Sequence, residues 1–170
     1  MEFETLAAGR YSLRKFSDRP IEQEKLDLVL EAARKAPTAH NLQPQHIFVI
    51  KSAEGLEKAY RCTACHFGSP VILVLAYNEE SSWHRETDGK MHGEIDTAIA
   101  AAQMMLQAAD LGLGTTYVGV FDPAALAREF PEIASYRTIG LMPIGYPAEG
   151  AHPSRLHADR KPLSEMVSYL

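Results

Sequence analysis

A chain of 170 residues with 46% hydrophobic and 23% charged side chains can bury a core without disulfide or metal staples, and its length fits one domain. The formal charge of −5 excludes a global attraction to nucleic acid or to an anionic membrane, so any anion site has to be local. The opening residues, Met1 to Leu6, lack the basic flank and long apolar run of a secretory signal, and the expectation is a cytoplasmic protein.

Gly9-Arg10-Tyr11-Ser12-Leu13-Arg14-Lys15-Phe16 reads as an extended segment. With a period of two, Arg10, Ser12 and Arg14 share one face. Two guanidiniums flanking a hydroxyl suit a phosphate, through paired charge-assisted hydrogen bonds. The same pattern also suits a solvated edge strand whose charges oppose aggregation.

A helix is expected from Glu22 to Lys35, where Leu26, Val29, Leu30 and Ala33 form one apolar face and Pro37 marks the stop. The loop from Ala36 to Gln45 carries two prolines and three amide side chains. Amides carry both donors and acceptors, so they suit a heterocycle edge, and they equally suit a connection whose turns they satisfy. His46 to Ile50 reads as a strand, Ala53 to Tyr60 as a helix with Ser52 at its N-cap, and Pro70 to Tyr77 as a strand covered on both faces.

Cys62 and Cys65 form a lone CxxC at the end of a helix, out of the strand-to-helix context of a redox dithiol and without a second pair for zinc. The reading is two small thiols. His84, Asp88 and His92 are spaced by four, but Gly89 and Gly93 interrupt any helix that would gather them on a metal, and no metal site is expected. Trp83, the only tryptophan, suits a lid or pocket wall.

The longest helix is expected from Ile95 to Leu113, apolar almost all round, with Asp96, Gln103, Gln107 and Asp110 as a thin polar stripe. Such a helix is central to the fold or shared with a second subunit, and the stripe argues against a membrane span. Gly112 and Gly114 close it. Thr115 to Val120 reads as a strand, and the glycines do not form a dinucleotide signature because Tyr117 stands at the third glycine's place. Asp122-Pro123 opens another helix, and Thr138 to Pro147 is the last core strand. Arg155, Arg160 and Lys161 make the tail basic. If the two ends meet, Arg10, Ser12, Arg160 and Lys161 form one phosphate cradle.

Three separated segments, Arg10-x-Ser12-x-Arg14-x-Phe16, Ala36-Pro37-Thr38-Ala39-x-Asn41-x-Gln43-Pro44, and Gly145-Tyr146-Pro147 with Arg160-Lys161-Pro162-Leu163, resemble the FMN-dependent nitroreductase family. The long helix followed by Gly112-Leu113-Gly114-Thr115-Thr116 extends the resemblance along essentially the whole chain. It implies an α+β fold with a central mixed β-sheet flanked by helices, in an intertwined homodimer with FMN at the subunit interface. By position, Arg10, Tyr11 and Ser12, with Arg160 and Lys161, hold the phosphate and ribityl end, and Arg14 points to the flavin pyrimidine. Pro37, Thr38, Ala39, Asn41 and Gln43 come from the partner subunit to line the ring, and Tyr117, Val118, Gly119 and Val120 lie behind it. The implied activity is ping-pong transfer from NADH or NADPH through FMN to nitroaromatics, quinones or similar acceptors. Arg14 supplies electrostatic support, and no protein nucleophile is needed. Relatives of this kind also dehalogenate, oxidise azoles or consume the flavin itself, and a flavin-binding module without turnover is a further alternative.

Overall fold

The structure is a computed structural model and describes residues 2–170. Five α-helices, α1 (Phe3–Gly9), α2 (Gln23–Arg34), α3 (Ala53–Cys62), α4 (Gly93–Asp110) and α5 (Pro123–Glu129), surround a sheet of β1 (Gln45–Ile50), β2 (Val71–Tyr77), β3 (Gly114–Thr115) and β4 (Arg137–Gly145). Short 3-10 turns occupy Ala39–Asn41, Pro131–Ile133 and Leu163–Glu165.

The sheet order is β1-β2-β4-β3. β2 lies at its centre and is buried along its whole length, as its unbroken apolar run implies. Val71, Leu73 and Leu75 join the cluster made by α2 and α4, with Leu26, Val29, Ala100, Ala101, Met104 and Ala108. The alternate residues Ile72 and Val74 join the opposite cluster, with Ala59, Cys62, Leu126 and Val118. Each face therefore has its own helical cover, which lets an antiparallel strand dispense with polar alternation.

The mixed sheet is corrected. All three ladders, β1 with β2, β2 with β4 and β3 with β4, are antiparallel. Among the described residues the one parallel pairing is an isolated bridge between Ser12 and Thr115, carried by the bond from Leu13 N to Thr115 O at 2.9 Å. It cannot lengthen, because beyond Thr115 the chain turns to β4, with Thr116 N bonded to Pro143 O, while Phe16 bridges Pro147 instead.

The expected strand from Thr115 to Val120 is also shorter than its composition suggests. Only Gly114 and Thr115 join the ladder, and Val118 makes a lone bridge to Leu141. The register itself continues, Val118 facing Leu141 as Gly114 faces Gly145, and the ladder is interrupted where Pro143, which has no N–H, accepts from Thr116 N and returns no bond.

Helix ends follow capping chemistry. Ser52 accepts from Gly55 N and Asp122 from Ala125 N, as read from the sequence. α4 closes in a Schellman motif at Gly112, whose φ of +76° suits glycine. Gly112 N bonds to Ala109 O and Leu113 N to Ala108 O. α1, which has no side-chain cap and no buried residue, had no expectation behind it; it packs beside α4.

α4 is covered on one side only. Ala100, Ala101, Met104 and Ala108 face the core, while Ile95 and Ile99, each 37% exposed, run with Ala98 and Ala102 along the outer face. Asp96, expected in the polar stripe, instead shares the buried register of Ala100, Met104 and Ala108. Among the described residues no helix is long and apolar enough to cross a membrane.

Candidate functional site

The two basic ends of the chain do meet. From α1 the chain passes over β3 with Leu13 buried against Gly114, where any Cβ would fall 2.3 Å from Leu13 Cδ2. Ser17 N then bonds to Tyr146 O and Ala148 N to Lys15 O, which fixes the segment beside the end of β4. The tail returns over this surface: His157 donates from Nε2 to Ala8 O at 2.9 Å, and its ring meets Tyr11 edge-on at 6.3 Å.

These contacts close a cavity of about 240 Å³ lined by Arg10, Tyr11, Ser12, Arg14, Ser154, Leu156, His157 and Arg160. A neighbouring cleft of about 490 Å³ shares Ser12, Arg14 and Ser154 as a common wall and adds Lys15 and His152. Three guanidiniums converge on the first cavity, and among the described residues no carboxylate lines it. Among the described residues Arg14 donates only to Ser12 O, and Arg160 to the carbonyls of Leu156 and Asp159. Cations held this way retain donors for an anion, and a hydroxyl from Ser12 or Ser154 adds a further contact. Lys161 is not in the lining; its ammonium lies 3.5 Å from Glu165.

Pro37, Thr38, Ala39, Asn41 and Gln43 form a separate feature and do not line this cavity. The loop is exposed at Pro37, Asn41 and Gln43 and follows an unusual path. His40, Asn41 and Gln43 have φ of 52°, 55° and 51°, a left-handed conformation that costs non-glycine residues energy and clusters at functional sites. Thr38 organises it, its Oγ1 accepting from Gln43 N at 3.1 Å and its carbonyl from Asn41 N at 3.0 Å. Ala39 N donates to Asp96 Oδ1 at 3.0 Å. The loop is also braced by stacking of His40 on Trp83 at 5.1 Å, with His92 edge-on to the same indole at 4.7 Å.

Of the third group, Tyr117 and Val118 are held by β4, while Gly119 and Val120 are exposed, Val120 at 72%. Thr63 Oγ1 anchors the Val120 carbonyl at 2.6 Å, and Asp122 N bonds to Cys62 O. The CxxC thus lies under this segment as a structural support. Burial, reinforced by Glu129 and Asp122, pushes the Cys62 thiol up, away from nucleophilic use.

The spacing of His84, Asp88 and His92 does not produce a shared face, because residues 78–92 are not helical: His84 bridges Met91 and Gly89 has φ of +70°. Asp88 is paired with Arg85. Among the described residues no group of three or more His, Cys, Asp or Glu side chains is placed to hold a metal.

Sequence reasoning missed Ser154 and His157, which sit in a polar tail without periodicity, and Asp96. For Asp96 a signal existed: it lies four, eight and twelve residues before Ala100, Met104 and Ala108, in the register of the core face.

The model of the nitroreductase family matches residues 7–67 and 62–146. A solved nitroreductase family protein from Clostridium difficile 630 is 39% identical, covers 99% of this chain and 98% of its own, and superposes with a TM-score of 0.92. The NADH dehydrogenase of Thermus thermophilus is 30% identical across 98% of this chain and 95% of its own length. An NADPH-dependent oxidoreductase of Staphylococcus aureus is 26% identical across 96% of this chain and 78% of its own. A structure from Exiguobacterium sibiricum in complex with FMN shares the fold, with a TM-score of 0.84 at 20% identity, covering 100% of this chain and 98% of its own. By the family match and these likenesses, the chain belongs to the nitroreductase family.

Proposed function

We propose that residues 1–170 form one FMN-binding domain of a cytoplasmic, homodimeric NAD(P)H oxidoreductase. The observation that carries this reading is the cavity in which Arg10, Arg14 and Arg160 converge with Ser12 and no carboxylate. That donor set fits a phosphate monoester joined to a polyol. The FMN held by the Exiguobacterium relative, and the nicotinamide-dependent names of the Thermus and Staphylococcus relatives, support it.

In this reading Arg10, Ser12 and Arg160 bind the phosphate and ribityl end, and Tyr11 supports it from the cavity wall. Arg14, on the wall between the two clefts, faces the pyrimidine side and offers positive charge where negative charge develops. Pro37, Thr38, Ala39, Asn41 and Gln43 of one subunit line the ring bound by the other. Tyr117 to Val120 form its backing, with exposed backbone at Gly119. FMN held there would supply the redox chemistry, two-electron transfer from NADH or NADPH to a nitroaromatic, quinone or similar acceptor in a ping-pong cycle.

Two surfaces support the homodimer. The outer stripe of α4, Ile95, Ala98, Ile99 and Ala102, is apolar and solvent-facing in the single chain. The tail likewise exposes Leu163, Met166, Val167, Tyr169 and Leu170, apolar side chains that gain nothing from water.

The test is the visible spectrum of anaerobic purified protein before and after NADH or NADPH. Flavin bands that bleach on addition are expected. A colourless protein that also takes up no added FMN would overturn the proposal.

A further inference from the structure

One buried carboxylate has no role in the site as proposed. Asp96 is 2% exposed, yet it lies in the apolar register of α4. Its Oδ1 accepts the Ala39 N–H at 3.0 Å, and its Oδ2 is buried with no hydrogen-bond partner among the described residues. A carboxylate kept in such a place for packing alone is unfavourable, since burial strips its hydration and an alanine or leucine would fill the same register. Its position in the first turns of an 18-residue helix offsets part of that cost, because the N-terminal dipole favours negative charge.

What the carboxylate holds is the strained loop. His40, Asn41 and Gln43 all adopt left-handed φ values, and conformations of this kind persist where surrounding contacts over-determine them. The bonds of Thr38 to Asn41 and Gln43 shape the loop but leave it free to move as a unit. The bond from Ala39 N to Asp96 ties it to the long helix, directly before the first left-handed residue. The stack of His40 on Trp83 is a second tie on the following residue.

We propose that Asp96 is a positioning residue, which fixes the loop of residues 38–43 on α4 and thereby orients Asn41 and Gln43. The consequence for the flavin ring rests on the FMN reading; the anchoring of the loop does not. α4 also carries the outer apolar stripe, so the same helix would align the loop with the subunit interface.

The single tryptophan gives a readout that needs no flavin. Trp83 stacks on His40, so a loosened loop alters its surroundings. The experiment compares flavin-free wild type, Asp96→Ala, Asp96→Asn and Ala39→Pro by Trp83 emission, acrylamide quenching and far-ultraviolet circular dichroism. Titration with FMN follows. Ala39→Pro removes the donor without touching the helix, and Thr38, extended at φ −134° and ψ 157°, tolerates a following proline.

Asp96→Ala and Ala39→Pro are expected to shift the emission to the red and increase quenching with helix content unchanged, and to weaken FMN roughly tenfold, the scale of one charge-assisted bond. Asp96→Asn keeps an acceptor oxygen and is expected to restore the wild-type emission. Unchanged emission in both Asp96→Ala and Ala39→Pro overturns the proposal, as does an Asp96→Asn variant as disturbed as Asp96→Ala. A Trp83 response in Asp96→Ala and Ala39→Pro alongside a wild type that binds no FMN would uphold the anchoring and sink the flavin reading. FMN binding without a Trp83 response would do the reverse.

Discussion

The hydroxyl of Tyr117 donates a 2.9 Å hydrogen bond to the carbonyl of Ile139, the residue that the register of β4 with β2 skips. Leu75 pairs with Gly140 and Ala76 with Thr138, so Ile139 is the extra residue of a bulge. The phenol bonds the carbonyl of the bulged residue, while its ring rests on Gly140. Tyr117→Phe keeps the ring and removes the bond. It is expected to lower stability by about 0.5–1.5 kcal/mol, the net worth of a typical hydrogen bond, with the denaturant slope unchanged. Urea titration checks this; an unmoved midpoint would mean that water serves the carbonyl equally well.

Arg10 and Lys161 separate the cavity from the basic tail at large. Arg10 lines the cavity, whereas Lys161 lies beside Glu165 outside the lining. Arg10→Ala is expected to weaken FMN by about 1.5–3 kcal/mol, or roughly ten- to a hundredfold, and Lys161→Ala to change it little. Flavin fluorescence titrations of the two variants at equal ionic strength decide the matter. Equal losses would point to diffuse attraction by the tail in place of a defined cradle.

Much of the fold was legible where one physical signal dominated. The unbroken run of β2, the apolar face of α2, and the Asp122-Pro123 start of α5 each translated directly into the structure. The segment after Gly114 was not, because β-forming residues describe a strand's own composition and not its partner's, and here the partner strand sets Pro143, with no N–H to give, opposite Thr116. α1 escaped because seven residues with no cap and no buried side chain carry no decisive pattern. Of the candidate site, the sequence grouped Arg10, Ser12, Arg160 and Lys161 by their anion chemistry; Arg10, Ser12 and Arg160 line one cavity together with Arg14, and Lys161 lies outside it because residue type does not say which way a tail side chain turns. Asp96 was misassigned because polarity was weighed over register. A carboxylate in step with Ala100, Met104 and Ala108 had to be buried, and a buried carboxylate needs a partner.

The outer stripe of α4 offers a test of the dimer that spares the fold. Ala102 faces solvent in the single chain, so Ala102→Glu is compatible with folding of one subunit. Against a partner helix it would bury an uncompensated charge, which is strongly destabilising. The expected outcome, by sedimentation equilibrium with absorbance at the flavin bands, is a folded monomer that has lost FMN. A folded monomer that keeps FMN would contradict a site shared between subunits.

Acid should weaken the protein through two glutamates on α2 and its N-cap. Glu22 accepts the Tyr146 hydroxyl at 2.6 Å and Arg19 at 2.7 Å, and these bonds, the tyrosine's first, lower its pKa from 4.5 to about 2. Glu31, held chiefly by Arg34 with Nε at 2.6 Å, is lowered to about 2 as well. Because both are depressed in the folded state, the unfolded chain binds more protons between the two values. Stability is therefore fully present above the ordinary carboxylate range and is lost as pH falls from about 4.5 toward about 2. Both groups face solvent, so the slope should be modest and should flatten further in salt. Tyr146→Phe removes the larger cause at Glu22 alone and Glu31→Gln the other group, and each is expected to reduce the slope of urea midpoint against pH. Their double variant should reduce it further than either, since the two glutamates share no partner. A slope unchanged in the double variant would assign the acid sensitivity to other carboxylates.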